Sequence, residues 1–191
     1  MSRLPRLLLM LLAVALLAGC ASTPRVSSDM DPSADFSKYR TYAFYSPLAV
    51  EEKGYETPAS VIMRDAVRRQ MESRGYVYDA NSPDLLVNIN AFLERRTDVT
   101  SMPEMQYGMY YSYRHNAYFA VPYWGERASV RRYTEGTMNI DLVDAGARRL
   151  VWEGVAVGRM ARMQPAERSA RIHSTIAEIF ARYPHRAGGA Y

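Results

Sequence analysis

The fold class the sequence predicts is α+β: an antiparallel-rich sheet, two helices packed on one of its faces, and an aromatic-rich insert between strands. Three observations lead there. Two segments opening on Pro58 and Pro165 repeat apolar residues at three- and four-residue spacing, as one-sided helices do. Segments at 85–94, 133–143 and 149–157 alternate apolar and polar residues, the period of a half-buried strand. Between them, residues 107–124 hold eight of the chain's aromatic residues in eighteen positions. The composition suits one globular domain, with 191 residues, 48% of them apolar and 23% charged. It excludes a disordered or collagen-like chain, and a single cysteine excludes a disulfide framework or a cysteine-rich zinc module.

The chain opens MSRLPRLLLMLLAVALLAGC, with Arg3 and Arg6 ahead of an apolar run from Leu7 to Ala18. A transmembrane helix needs about twenty apolar residues, so this run has the proportions of a secretory signal instead. Leu17-Ala18-Gly19-Cys20 resembles the lipobox of bacterial lipoproteins. The Cys20 thiol can take a diacylglyceryl group as a thioether, small neighbours let a peptidase reach the bond before it, and the freed amine can carry a further acyl chain such as palmitate. Two or three chains hold a protein on a membrane where one holds it only marginally. Lipoproteins kept at the inner membrane resemble one another in carrying Asp after the cysteine. Ala21 therefore implies the outer membrane, with the protein facing the periplasm. The expected division is a signal peptide over 1–19, lipidated Cys20 and a tether over 20–28, one α+β domain over 29–184, and a loose tail over 185–191.

Removal of the leader takes Arg3 and Arg6 with it and leaves 22 basic residues against 20 acidic ones. That balance and export of the chain argue against a nucleic-acid partner.

After the tether, turn formers Asp29, Asp31, Pro32 and Asp35 precede Phe36, and a further strand is expected near Val26. Thr41–Tyr45 is aromatic and β-branched, as strands are. Thr57-Pro58 supplies a cap and a first-turn proline. Ile62, Met63, Ala66, Val67 and Met71 then form the buried stripe, Arg64, Arg68 and Glu72 mostly face water, and Gly75 ends the helix. A short strand at Tyr76–Tyr78 and a turn at Asn81-Ser82-Pro83-Asp84 lead into Leu85–Glu94, where Leu85, Val87, Ile89, Ala91 and Leu93 share one face. Met138, Ile140 and Leu142 alternate with Thr137, Asn139 and Asp141. The loop Asp144–Arg148 turns the chain back so that Trp152 packs across from Ile140. In the last helix Ala166, Ala170, His173, Ile176, Ala177 and Phe180 fall on one stripe, widened by Ile172 and Ile179, and Tyr183-Pro184 stops it.

Several of these stretches together resemble a known family. They are Asp35-Phe36-Ser37-Lys38-Tyr39-Arg40-Thr41-Tyr42, Ser82-Pro83-Asp84-Leu85-Leu86-Val87, Gly136 through Asp144, and Val151-Trp152-Glu153-Gly154-Val155-Ala156, followed by a closing helix that ends at Tyr183-Pro184. The mature chain is similar in this to the bacterial lipoprotein family built on the domain of unknown function numbered 4136. The resemblance implies a periplasm-facing lipoprotein domain, with no established activity or catalytic residue. Its mid-chain insert is typically rich in Gly and Tyr; here the Tyr are kept, with only Gly108 and Gly125.

That insert is the main candidate for binding. Tyr and Trp pair an apolar face with a polar tip, which suits sugars, lipid headgroups and protein interfaces. Tyr110, Tyr111, Tyr113 and Trp124 are the candidate binding residues, with Arg114, Arg127, Arg131 and Arg132 near them for anionic groups. The competing expectation is a hairpin or loop that folds its aromatics onto an open sheet face. Met102, Met105, Met109 and His115 have soft-metal chemistry but loose spacing, so neither metal nor cofactor is expected. No G-x-S-x-G, H-E-x-x-H, P-loop or dinucleotide fingerprint occurs, and Cys20 is consumed by lipid. The expectation is thus a non-enzymatic binding or envelope-accessory module held at the outer membrane by lipid on Cys20, meeting an envelope protein or glycan. Two alternatives stand beside it: a carrier of a lipid-like ligand between sheet and helices, and a glycan hydrolase pairing carboxylates among Asp84, Asp141, Asp144 and Glu153, with Asp141 and Glu153 the ones to test.

Overall fold

In the computed structural model residues 24–51 and 53–189 are described, so the expected signal peptide, Cys20 and Ala21 lie outside the described residues. The chain divides into two compact units, one made of the segments up to Leu93 and from Gly136 onward, the other of Glu94–Glu135.

The first unit is built on a sheet of mixed direction. Strands β1 (Arg25–Met30), β2 (Thr41–Phe44), β3 (Val77–Tyr78), β4 (Leu85–Ser112), β5 (Ala117–Asp144) and β6 (Arg149–Met160) lie in the order β1-β6-β5-β4-β2-β3. β1 runs antiparallel to β6 from Arg25 opposite Val157 to Met30 opposite Trp152, so strand already occupies residues 25–28 of the expected tether. Four residues join β5 to β6, which forces that neighbouring pair antiparallel. The sheet is antiparallel-rich as expected, and the edge beyond β4 is the exception, because β2 is parallel to both β3 and β4. The reason is the helix α1 (Pro58–Ser73), which carries the chain across after β2 and returns it in the same direction. β2 lies between two strands, and Tyr42, Ala43 and Phe44 are all buried.

α1 begins as its sequence dictates. The Thr57 hydroxyl accepts from the Ser60 amide at 3.0 Å and the Ser60 hydroxyl accepts from the Thr57 amide at 2.9 Å, a reciprocal cap. Gly75, at φ +87°, takes the left-handed conformation that ends it. Met63, Ala66, Val67 and Met71 are buried as expected. Arg64 departs from expectation: it is half-buried and pairs with the buried Glu51 at 3.0 Å.

The closing helix α2 (Pro165–Phe180) buries Ile172, Ile176, Ile179 and Phe180. The expected stripe is therefore rotated. Ala166, Ala170 and Ala177 are exposed, and half-buried His173 meets the guanidinium of Arg69. Branched and aromatic side chains gain more from burial than a methyl does, and that decides the facing.

Trp152, 1% exposed, packs on Phe180 and Tyr183, its ring 5.7 and 5.0 Å from theirs. Gly154 makes room for it, since a Cβ there would collide with Trp152 and Ile179. Leu85, Val87, Ile89, Ile140 and Leu142 complete the core, while Leu93, expected on that face, is 67% exposed. The expected tail is a docked segment. His185 is buried, stacked on Phe36 with centroids 3.9 Å apart, and the Gly188 amide donates to the Tyr39 carbonyl. No helix among the described residues is long and apolar enough to cross a membrane.

Candidate functional site

The second unit is a ribbon of two strands, residues 94–112 of β4 and 117–135 of β5, joined by Tyr113–Asn116. Its register is fixed by side chains that meet across it. Glu104 pairs with Arg127 at 2.6 Å, the Tyr123 hydroxyl donates to Gln106 at 2.8 Å, and Gly125 lies against Gln106. Arg96 reaches Glu135 at 3.3 Å. Successive side chains on a strand point to opposite faces, so these contacts place the even-numbered positions of β4 and the odd-numbered positions of β5 on one face, laced with ion pairs. The other face carries Val99, Met105, Tyr107 and Met109 from β4, and Tyr118, Trp124 and Val130 from β5, all exposed; the ion-paired face also exposes Met102, Tyr110, Phe119, Val121 and Tyr123.

The aromatics of the insert therefore do not fold onto a sheet face: Tyr113 is 89% and Trp124 72% exposed. The four candidate binding residues are also divided. Tyr111 and Trp124 share the apolar face, Tyr113 stands in the turn, and Tyr110, 60% exposed, is on the ion-paired face. Tyr111 anchors a small cluster, its ring 4.9 Å from those of Tyr113 and Tyr118, with its hydroxyl donating to Asn116. The methionines separate in the same way. Met105 and Met109 lie on the apolar face and Met102 on the other, so alternation does not gather them with His115.

Within the first unit, two polar groups stand out. On the sheet face away from Trp152, Asn88 donates to Asp141 at 3.1 Å and Asn139 donates to Glu153 at 2.9 Å. Burial, and after it the Glu153 charge, pushes the Asp141 carboxyl up, against the Asn88 hydrogen bond. Asp29 stands opposite Glu153 in the β1–β6 register, adding a third carboxylate to this row. No group of three or more metal-ligating His, Cys, Asp or Glu side chains occurs among the described residues.

The second group joins the quoted motifs. Asp144 accepts from Lys38 Nζ and from the Tyr39 hydroxyl, each at 2.8 Å, and from the amides of Gly146 and Ala147 at 3.0 and 2.8 Å. The Ala147 amide and then Lys38 hold its carboxyl well below the usual carboxylate range. Asp84 accepts from the amides of Arg40 and Thr41 at 2.8 and 2.9 Å. Burial pushes its carboxyl up, but these bonds outweigh burial and the net direction is down. The sequence favours turn roles for Asp84 and Asp144 and gives Lys38 no role beyond its place in a motif. A lysine and an aspartate 106 residues apart leave no periodic signal, although both sit in motifs that carry the family resemblance.

Comparison with known proteins follows this geometry. The model of a family described as Domain of unknown function (DUF4136) matches residues 26–185. No curated protein matches the chain. Among solved structures, a PDZ domain protein from Parabacteroides distasonis aligns with a TM-score of 0.54 at 15% identity, over 93% of this chain and 40% of its own. The chain thus spans less than half of that protein, and the likeness is one of fold alone. A PelC dodecamer from Paraburkholderia phytofirmans aligns with a TM-score of 0.46 at 12% identity, over 85% of this chain and 99% of its own.

Proposed function

The chain belongs to the DUF4136 family, and from that premise we propose that it is an outer-membrane lipoprotein facing the periplasm, anchored through lipid on Cys20, whose ribbon at 94–135 is its binding surface. The observation that carries the reading is the exposure of Tyr107, Trp124 and their neighbours on one face of that ribbon. Monomeric proteins rarely leave a large contiguous apolar surface in water without using it. The partner is an envelope component met without catalysis. The first unit is the scaffold, and its polar groups are engaged in closing the sheet.

The carrier alternative has weaker support, because Tyr42, Val67, Met71, Ile140, Trp152 and Phe180 fill the space a ligand would need between sheet and helices. The hydrolase alternative rests on Asp141 and Glu153, each already bonded to an asparagine.

Two measurements test the reading. Radiolabelled palmitate should enter the wild type and not Cys20→Ala, and density fractionation should place the labelled chain in the outer membrane. Crosslinked envelopes should yield a partner with wild type and lose it with Tyr111→Ala/Trp124→Ala, while Tyr110→Ala retains it. Loss of that partner in both variants alike, or in neither, counts against a one-faced binding surface.

A further inference from the structure

Charge, aromatic placement and backbone edges in the ribbon all point to one kind of surroundings. Residues 105–112 on β4 with Tyr113 of the turn, and 117–125 on β5, contain no charged side chain, and the register sets these two nine-residue runs side by side at the turn end of the ribbon. Outside them charges return at once, with Glu104, Glu126 and Arg127 on one border and Arg114 in the turn on the other. Nine residues of strand rise about 30 Å, which at a barrel tilt of about 40° covers about 23 Å, close to the apolar band of about 25 Å on outer-membrane barrels. On the apolar face aromatic residues gather near both borders, Tyr107 and Trp124 towards the charged end and Tyr111 and Tyr118 towards the turn that holds Tyr113, while Tyr110, Phe119 and Tyr123 lie on the other face. Met109 and Ala120 lie between the two borders. Aromatic girdles flanking an apolar band are how strands meet the two surfaces of a bilayer.

The edges supply the second constraint. A two-stranded ribbon leaves the outer backbone groups of each strand without a ladder partner. In water those groups are hydrated; in hydrocarbon each would be strongly unfavourable, so strands enter lipid only in closed barrels. One chain brings two strands, and the smallest such barrels have about eight. We infer that copies of this chain pair ribbon edge to ribbon edge into a closed β-barrel whose uncharged band lies in the hydrocarbon of a bilayer. Met105, Met109 and Trp124 face lipid; Gln106, Gly108 and Gly125 face the lumen, together with Tyr110, Phe119, Val121 and Tyr123, whose side chains fill its interior. The inference rests on the reading of the ribbon as the binding surface and names its occupants: lipid on the apolar face, further copies at the edges.

The test uses the full lipidated chain, purified in detergent and reconstituted into vesicles of phosphatidylethanolamine and phosphatidylglycerol holding a small anionic dye. Acyl chains brominated near their middle should quench part of the tryptophan emission, and Trp124→Phe should abolish that quenching while the buried Trp152 still emits. Dye should leak, and chemical crosslinking should give a ladder ending at one closed size. Met109→Lys and Ala120→Lys put charges at exposed positions in mid-band, so far-ultraviolet circular dichroism should be unchanged. Dye release should fall about thirtyfold or more, as expected for a cation at the bilayer midplane. Absence of quenching in the wild type, or equal leakage from the Lys variants, overturns the barrel. If Tyr111→Ala/Trp124→Ala still abolishes capture of an envelope partner in that case, the binding reading survives; if capture is unaffected too, both fall.

Discussion

Replacing Asp144 tests whether the contacts among the motifs hold the first unit together. The carboxylate side chain is only 7% exposed and takes hydrogen bonds from four donors. In Asp144→Asn the amide oxygen can still accept from Gly146 and Ala147, but an NH2 group then faces the Lys38 ammonium and the Tyr39 hydroxyl loses its charged acceptor. Lys38, its side chain 54% exposed, turns to water, so its share of the loss is small. Tyr39, 2% exposed, has no such exit. A charge-assisted bond to a buried hydroxyl contributes about 1.5–3 kcal/mol. We therefore expect Asp144→Asn to lose about 2–3 kcal/mol and Asp144→Ala about 4 as the loop amides lose their acceptor as well, with Lys38→Met costing clearly less than either. The pH dependence has a definite sign. A carboxyl depressed in the folded state contributes stability that is full above its unfolded pKa near 4 and is lost as pH falls through the folded value. Urea unfolding of a soluble form beginning at Ser22, followed by circular dichroism at pH 7 and at steps below pH 4, should show the wild type losing stability faster than Asp144→Asn. A variant within about 0.5 kcal/mol of wild type, or parallel acid slopes, would refute the reasoning.

The buried hydroxyls give a matched pair. Tyr42 is fully buried with no hydrogen-bond partner for its hydroxyl among the described residues, and burial pushes its pKa up to about 12. Tyr42→Phe should be neutral or up to about 1 kcal/mol more stable. Tyr183 shares a 2.7 Å bond with Tyr76, so Tyr183→Phe should cost about 1–2 kcal/mol by the same urea assay. Burial lowers the pKa of His185, so its contribution is full above about pH 6.5 and fades as pH falls below it. His185→Phe, which retains the stack on Phe36, should flatten the melting temperature between pH 7 and 5. Gly154→Val should destabilise by more than about 3 kcal/mol in thermal melts, because both of the groups it meets are held in the core.

The elements with one exposed and one buried side were the most legible in the sequence. α1 begins and ends where Thr57, Pro58 and Gly75 say it should. The alternation at Leu85, Val87 and Ile89, and at Ile140 and Leu142, gave the correct buried faces. Periodicity reports which side of an element is apolar; it does not report which neighbour a strand takes. The parallel pairing of β2 depends on where the chain lands after α1, and the three buried positions Tyr42–Phe44 show no alternation to read. In α2 the isoleucines displaced the alanines from the core side, a choice of area that spacing alone leaves open. The docking of His185 was hidden because a histidine next to proline at the end of a chain looks the same whether it is solvated or stacked.

The candidate site was legible in composition and illegible in geometry. Eight aromatics in eighteen residues locate it, but assigning Tyr110 and Tyr111 to one surface overlooks that neighbours on a strand face apart. The distinction bears on function because the motifs carrying the family resemblance are spent on closing the first unit: Lys38 and Tyr39 on Asp144, the amides of Arg40 and Thr41 on Asp84, Trp152 on Gly154 and Tyr183. A side chain held at both ends by internal bonds has little left with which to recognise a partner. The ribbon is the reverse case. Its ion pairs occupy one face, its aromatic face has taken up little of its own surface, and an isolated two-stranded hairpin is marginal in water. Covering that face and pairing its edges would lower its free energy, and this is the physical ground of the proposed association.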